Sequence, residues 1–265
     1  MGKQLIPAQR HERIREYLEI HRVARTADLC EMLGVSEATV RRDLEHMETQ
    51  GILERTHGGA ILTQRVPLVP EYAHRARTRP DEKRSIGALA ASLIEDGDVI
   101  FINGGTTCTQ VVSHIKNKPK VTVVTNNVMA ALEAGDADFH LILLGGSFVG
   151  WTNSVAGPFA IEMVRQICAD KIFIGVEGIS PKFGCTVPSE DEAQLVREMI
   201  RRTRGPVTVV ADHSKWGAVS NFEVAPLNRV NRLITDSGLD ASARAELAAH
   251  SVEVLIADVE QETQD

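Results

Sequence analysis

The 265-residue chain has four cysteines, and Cys30, Cys108, Cys168 and Cys185 are spaced too widely for a zinc knuckle, with no Cys-x-x-Cys anywhere. That spacing excludes a thiolate metal staple. It leaves the cysteines as reduced, small apolar residues, with a redox role open for Cys108 alone, because Cys108 follows a candidate ligand loop. No run of eighteen apolar residues occurs, and Met1-Gly2-Lys3-Gln4 lacks an apolar secretory core, so the sequence predicts a cytoplasmic protein without a membrane partner. Gly2 without Ser or Thr at position 6 is a poor myristoylation signal. Also missing are the Gly-x4-Gly-Lys-Ser/Thr phosphate loop and His-Glu-x-x-His. Gly145-Gly146-Ser147-Phe148-Val149-Gly150 misses the Gly-x-Ser-x-Gly nucleophile spacing by one residue. Internal repeats and low-complexity tracts are absent. Catalytic residues, metal ligands and bound cofactors are therefore not expected.

What is present is the composition of a soluble globular protein, 43% hydrophobic and 25% charged, at a length comfortable for two domains. Charge is uneven. Residues 1–80 carry 13 Lys+Arg against 11 Asp+Glu, while residues 81–265 carry 16 against 25. An acidic whole argues against a nonspecific nucleic-acid coat, yet leaves room for a small basic contact face near the N-terminus.

Such a face is visible. Ser36 is a good helix N-cap, its hydroxyl suited to accept from backbone N–H groups of the next turn. After it, Val40, Leu44 and Met47 recur at spacings of four and three and define a buried stripe. Thr39, Arg41 and Arg42 then point away from that stripe, where paired guanidinium groups can reach phosphates or the acceptor edge of guanine. Upstream, Ile14, Tyr17 and Leu18 stripe one helix, and Leu29, Met32 and Leu33 stripe a shorter one with Thr26 as its cap and Gly34 at its end. Three helices with that turn form a helix-turn-helix; an ordinary three-helix bundle with a solvated arginine pair is the alternative. Residues 51–60, Gly-Ile-Leu-Glu-Arg-Thr-His-Gly-Gly-Ala, read as a β-wing. The nine histidines are otherwise scattered, but His57 stands where a wing tip meets phosphate or minor groove, with Arg55 beside it.

Val40-Arg41-Arg42-Asp43-Leu44 followed by the wing segment resembles the signature of the DeoR family of bacterial transcriptional regulators. The resemblance implies a winged helix-turn-helix over residues 1–62, contacting double-stranded operator DNA through Ser36, Thr39, Arg41, Arg42, Arg55 and His57, with a sugar-phosphate-sensing domain behind it.

Residues 63–80 hold three prolines and four arginines without sustained period and suit a linker. Arg75, Arg77 and Arg79 touch a DNA backbone or, as the composition favours, solvate the connection. From residue 81 the pattern becomes α/β. A helix over 81–95 stacks Ile86, Leu89, Ala90 and Leu93. Apolar runs at 99–102, 121–125, 141–144, 171–175, 207–210, 232–235 and 252–256 alternate with mostly helix-length segments. This argues for a mainly parallel sheet covered on both faces. Ser189-Glu190-Asp191-Glu192 reads as a capping box for a helix that turns Val196 and Ile200 inward.

In such sheets ligands collect at strand carboxyl ends, where helix N-termini offer free N–H donors. Asn103-Gly104-Gly105-Thr106-Thr107 follows one strand and opens a helix, as a phosphate cradle or a plain glycine turn. Asp212-His213-Ser214-Lys215 follows another; Lys215 supplies positive charge, and Asp212 accepts from sugar hydroxyls or holds Lys215. Thr125-Asn126-Asn127, Gly145-Gly146-Ser147 and Gly175-Val176-Glu177-Gly178 also follow strands, contributing Asn126, Gly146 and Glu177 to one cleft. In order and spacing these segments resemble the DeoR effector domain, whose fold is similar to ribose-5-phosphate isomerase. The resemblance implies an effector phosphate on Gly105, Thr106 and Thr107 with Lys215 as charge partner, and repression relieved by a phosphorylated sugar. Asn103 replaces an Asp frequent in relatives, and Glu177 a smaller polar residue, so the sugar is left unnamed. Operator specificity implies a homo-oligomer, dimer or tetramer. The competing function is a sugar-phosphate isomerase with an appended module, in which Glu177 or Asp212 acts as the base.

Overall fold

The computed structural model describes residues 5–62, 64–65, 71–135 and 137–258. Residues 1–4 and 259–265 of the two expected domains, and residues 63 and 66–70 of the expected linker, lie outside that description.

The N-terminal unit is built from α1 (Pro7–His21), β1 (Val23–Arg25), α2 (Thr26–Leu33), α3 (Glu37–Thr49), β2 (Glu54–Thr56) and β3 (Gly59–Ile61). Ile14 and Leu18 of α1, Leu29 and Leu33 of α2, and Val40, Leu44 and Met47 of α3 are all buried in one cluster, as the stripes predicted. Asp43 is the polar member of this interface. Arg10 grips it through Nε at 2.6 Å and Nη2 at 2.9 Å, and His11 Nε2 lies 3.1 Å away. Burial pushes the Asp43 carboxyl up, but these donors outweigh it and leave the group below its ordinary value. Asp43 therefore pins α3 to α1.

The wing strands join β1 in a three-stranded antiparallel sheet, order β1-β3-β2. Gly59 is required by that pairing, since a Cβ there would stand 1.9 Å from the carbonyl oxygen of Ala24. The strand β1 was not anticipated, because three residues are too few to show alternation. Two cap expectations need correction. Arg25, not Thr26, occupies the cap of α2; Thr26 is its first helical residue and donates its N–H to Gly58 O at the wing tip. Ser36 caps α3 by position, but its hydroxyl turns to Thr39 Oγ1 at 3.0 Å instead of accepting from a backbone N–H.

β4 (Gln64–Arg65) and α4 (Tyr72–Arg77) follow. A solvated linker is thus not what the structure has at 72–80. Tyr72 is buried, donates its N–H to Trp151 O, and places its hydroxyl 2.7 Å from Thr109 Oγ1. A six-residue helix is too short to carry a readable stripe, which is why composition alone suggested loop.

The larger unit contains α5 (Pro80–Ser92), β5 (Val99–Ile102), α6 (Thr106–Ser113), β6 (Thr122–Thr125), α7 (Val128–Glu133), β7 (His140–Leu143), β8 (Ser147–Val149), β9 (Ser154–Ala156), α8 (Pro158–Arg165), β10 (Lys171–Ile174), β11 (Gly178–Ser180), β12 (Gly184–Val187), α9 (Glu190–Arg201), β13 (Val207–Val210), β14 (Ala218–Val219), β15 (Phe222–Ala225), β16 (Arg232–Asp236), α10 (Ala241–Ala249) and β17 (Glu253–Ala257). Seven strands pair in parallel in the order β17-β16-β13-β10-β5-β6-β7. All seven apolar runs are strands of this sheet, within a residue or two at their ends. Ile86, Val111 and Ala130 from α5, α6 and α7 cover one face, and Val164, Val196 and Leu247 from α8, α9 and α10 the other. Strand order reverses between β10 and β5, so the loops leaving these neighbours diverge and open a crevice at their carboxyl ends. The short antiparallel β8–β9 hairpin and the β11-β12-β15 sheet were not anticipated.

Candidate functional site

The exposed side of α3 carries Thr39, Arg41 and Arg42. Arg41 is held toward Glu37 at 2.6 Å on the solvated helix face, whereas Arg42 makes no ion pair among the described residues. Arg55 lies exposed on β2 and its N–H is taken by Glu48 Oε1 at 3.0 Å. All three arginines are exposed, and Thr39 is half-buried. His57 departs from the expected free wing tip, because its backbone N–H donates to Glu246 Oε2 of α10.

The second site is a cavity of about 210 Å³ at the strand-order reversal, lined by Gly104, Gly105, Thr106, Thr107, Glu177, Asp212 and Lys215 among others. Gly105 stands at the N-terminus of α6 with φ +134°, backbone that favours glycine. The first N–H groups of α6 beyond it have no intrahelical acceptor, and the positive end of the helix dipole faces the cavity. Asn127 fixes this turn by donating from Nδ2 to Gly105 O at 3.1 Å while its Oδ1 caps α7.

Three expected residues fall outside the lining. Asn103 is fully buried and pins loops together: its Oδ1 accepts from Gly175 N at 2.7 Å and from the Cys108 thiol at 3.2 Å, and its Nδ2 donates to Gly175 O. Asn126 is buried beside Gly104 and donates to Val155 O at 2.8 Å. Gly146 is exposed beyond β7. Cys108 is fully buried, and burial pushes its thiol up to about 12, so the open redox role is withdrawn.

The structure adds residues that pattern reading missed. Arg75, Arg79 and Lys83 enter the lining from the supposed linker and the start of α5. Arg75 Nη1 stands 3.8 Å from Glu177 Oε1, and its Nε and Nη2 are buried without a hydrogen-bond partner. Arg79 Nε is 3.8 Å from Asp212 Oδ1. Lys215 Nζ pairs with Glu177 Oε2 at 3.0 Å, not with Asp212, whose Oδ1 is taken by the N–H and hydroxyl of Ser214. Lys83 Nζ donates to Thr78 O at 2.7 Å and to Arg75 O, and burial brings it down to about 8 against the pull of Asp212. Glu192 also lines the cavity. Ser189 Oγ accepts from Glu192 N as half of the expected capping box, but the Glu192 carboxyl belongs to the cavity wall, where burial raises it to about 7.

Four cationic side chains, three carboxyl groups and a helix N-terminus thus meet in one crevice. Such a set can hold an anionic group on its cations and helix N–H groups and accept hydrogen bonds from hydroxyls on its carboxylates.

Residues 10–66 match the family model described as the DeoR-like helix-turn-helix domain, and residues 78–237 match that of the DeoR C terminal sensor domain. The chain belongs to the DeoR family. This DeoR-family chain is 35% identical to the HTH-type transcriptional repressor GlcR of Bacillus subtilis over 94% of its own length and 95% of that protein. It is 32% identical to the HTH-type transcriptional regulator GlpR of Haloferax volcanii over 95% and 98%. Among solved structures it is similar to the sorbitol operon regulator SorC of Klebsiella pneumoniae, with TM-score 0.40 and 13% identity over 89% of this chain and 97% of that one. It is also similar to ribose 5-phosphate isomerase A of Methanocaldococcus jannaschii, with TM-score 0.38 and 16% identity over 52% and 55%. No helix of the described residues is long and apolar enough to cross a membrane. The DeoR-family sensor domain is a parallel α/β domain, and the chain is a transcriptional regulator.

Proposed function

We propose that this regulator represses a carbohydrate-metabolism operon as a cytoplasmic homo-oligomer, and that a phosphorylated sugar or sugar derivative releases it from operator DNA. The observation that carries the reading is the meeting of Gly105, Thr106 and Thr107 with Lys215, Lys83, Arg75 and Arg79 around one cavity. A phosphate dianion takes the N–H donors of α6 and the ammonium of Lys215, displacing Glu177 from that ammonium. Glu177 and Asp212 then accept from sugar hydroxyls. On the head, Arg42 and Arg41 approach the DNA with Thr39, Ser36 and Arg55 at their flanks.

The test pairs thermal shift with gel retardation. Phosphorylated sugars and their unphosphorylated counterparts are screened against the protein; the phosphorylated form alone is expected to stabilise it, by about 2.7 kcal/mol at a hundredfold its dissociation constant. The same compound is expected to release a duplex from upstream of the protein's own gene. Lys215→Ala should raise the concentration needed for both effects by at least tenfold, as the loss of a charge-assisted contact implies. An unchanged response in Lys215→Ala removes the cavity as the effector site. Turnover of a sugar phosphate without sequence-selective retardation would favour the isomerase instead.

A further inference from the structure

The wing tip rests on the sensor domain through a contact that shares the chemistry of DNA binding. The backbone N–H of His57 donates to Glu246 Oε2 at 2.7 Å, and the ring Nδ1 lies 3.3 Å from both carboxylate oxygens. Glu246 is 4% exposed. Its other side-chain neighbour of this kind is His250, the residue after α10, with Nε2 at 3.5 Å, and no Lys or Arg pairs with it among the described residues. A buried carboxylate is costly without donors, so the wing tip supplies much of what makes this position tolerable.

Loops that grip duplex DNA hold backbone phosphates with main-chain N–H groups and cationic or imidazole side chains. Glu246 presents the same face: two anionic oxygens, one on the N–H and both within reach of the ring. A single N–H cannot serve a carboxylate and a phosphate together. We propose that Glu246 sits in the place of a DNA backbone phosphate, so that the sensor domain lowers DNA affinity by occupying the anion-holding donors of the wing. A second strap supports the docked placement, since buried Glu54 of β2 accepts the N–H of Lys182 at 3.2 Å. The exposed residues Arg41 and Arg42 of α3 take no part in either contact. The docked state therefore withholds the wing while leaving α3 free.

This inference rests on the head being the DNA-binding element. Its test uses the full chain without effector, in gel retardation with the duplex from upstream of its own gene. Glu246→Ala is expected to bind about tenfold more tightly, the size of one lost charge-assisted hydrogen bond. Glu246→Gln should gain less, because its amide oxygen still accepts the His57 N–H. Amide hydrogen exchange at His57 should quicken in Glu246→Ala before DNA is added. Glu246→Gln, closest in shape, decides the matter if the alanine variant fails to fold. Wild-type retardation with no tighter binding in a folded variant overturns the inference alone. If neither the wild type nor any folded Glu246 variant retards a duplex, the DNA-binding reading falls as well.

Discussion

Glu192 and Lys83 face the same cavity with protonation poised close to neutrality, Glu192 raised by burial to about 7 and Lys83 lowered by burial to about 8. The direction of their joint effect is fixed. As pH rises, Glu192 gains a negative charge and Lys83 loses a positive one, so the cavity becomes less cationic twice over. A phosphate monoester completes its second ionisation near pH 6, so from about pH 7.5 upward the ligand no longer changes. Affinity for a phosphorylated effector is therefore expected to fall between about pH 7.5 and 9, measured by calorimetric titration. Glu192→Gln should bind about three- to tenfold more tightly at pH 8, where the wild-type carboxylate is ionised; a flat profile would contradict the placement of the ligand phosphate. Neither residue was legible as a ligand contact. Glu192 stood in a capping-box pattern that explains it fully at the level of sequence, and Lys83 stood in an ordinary amphipathic helix. The asparagines show the same limit. Asn126 and Asn127 are equivalent in a string of letters, and only the path of the chain after β6 decides which one reaches Gly105.

Among the elements, those with many residues per period were readable and the brief ones were not. Val99–Ile102 is a continuous apolar run and Val207–Val210 a β-branched one because both faces of the parallel sheet are covered, and the other five strands of the sheet carry the same signal. β1 and the β8–β9 hairpin offer three residues each, and α4 six. The wing carries its own signal in Gly58-Gly59, but the reason for Gly59 lies in its partner strand. Gly59→Ala would drive a methyl group into the Ala24 carbonyl, forcing β1 and β3 apart at Arg25↔Gly59. The head should lose about 2 kcal/mol or more of stability, read as a lowered urea midpoint together with weaker DNA retardation. Gly58→Ala, with open space at its Cβ, serves as the control and should change little.

At the scale of the whole molecule the two units are joined at several points besides the covalent chain. β4 pairs in parallel with β14, directly after the Lys215 turn, and α4 lays Tyr72 against α6. Any effector that binds the two arrangements of head and sensor unequally must shift DNA affinity by the same factor with which DNA shifts effector affinity. Measured in both directions, the factor should agree and lie at about 5- to 150-fold. An apparent DNA affinity that keeps falling in proportion to added effector, with no plateau, would mean that effector and DNA compete directly, with no change of domain placement. The coarse plan, a basic head before an acidic α/β unit, was plain from charge and periodicity. The contacts between the units were not, because they depend on isolated residues such as Glu246 and Tyr72 whose partners lie far away in the chain.

The placement of Arg75 carries one more consequence. A single short helix stands between head and sensor in the chain and also forms part of the wall of the proposed effector cavity, so a substitution there that changes the taste for a ligand is expected to change how the head is connected as well. Selectivity and responsiveness are geared together, and a relative that comes to sense a different compound through this helix must retune its grip on DNA in the same step.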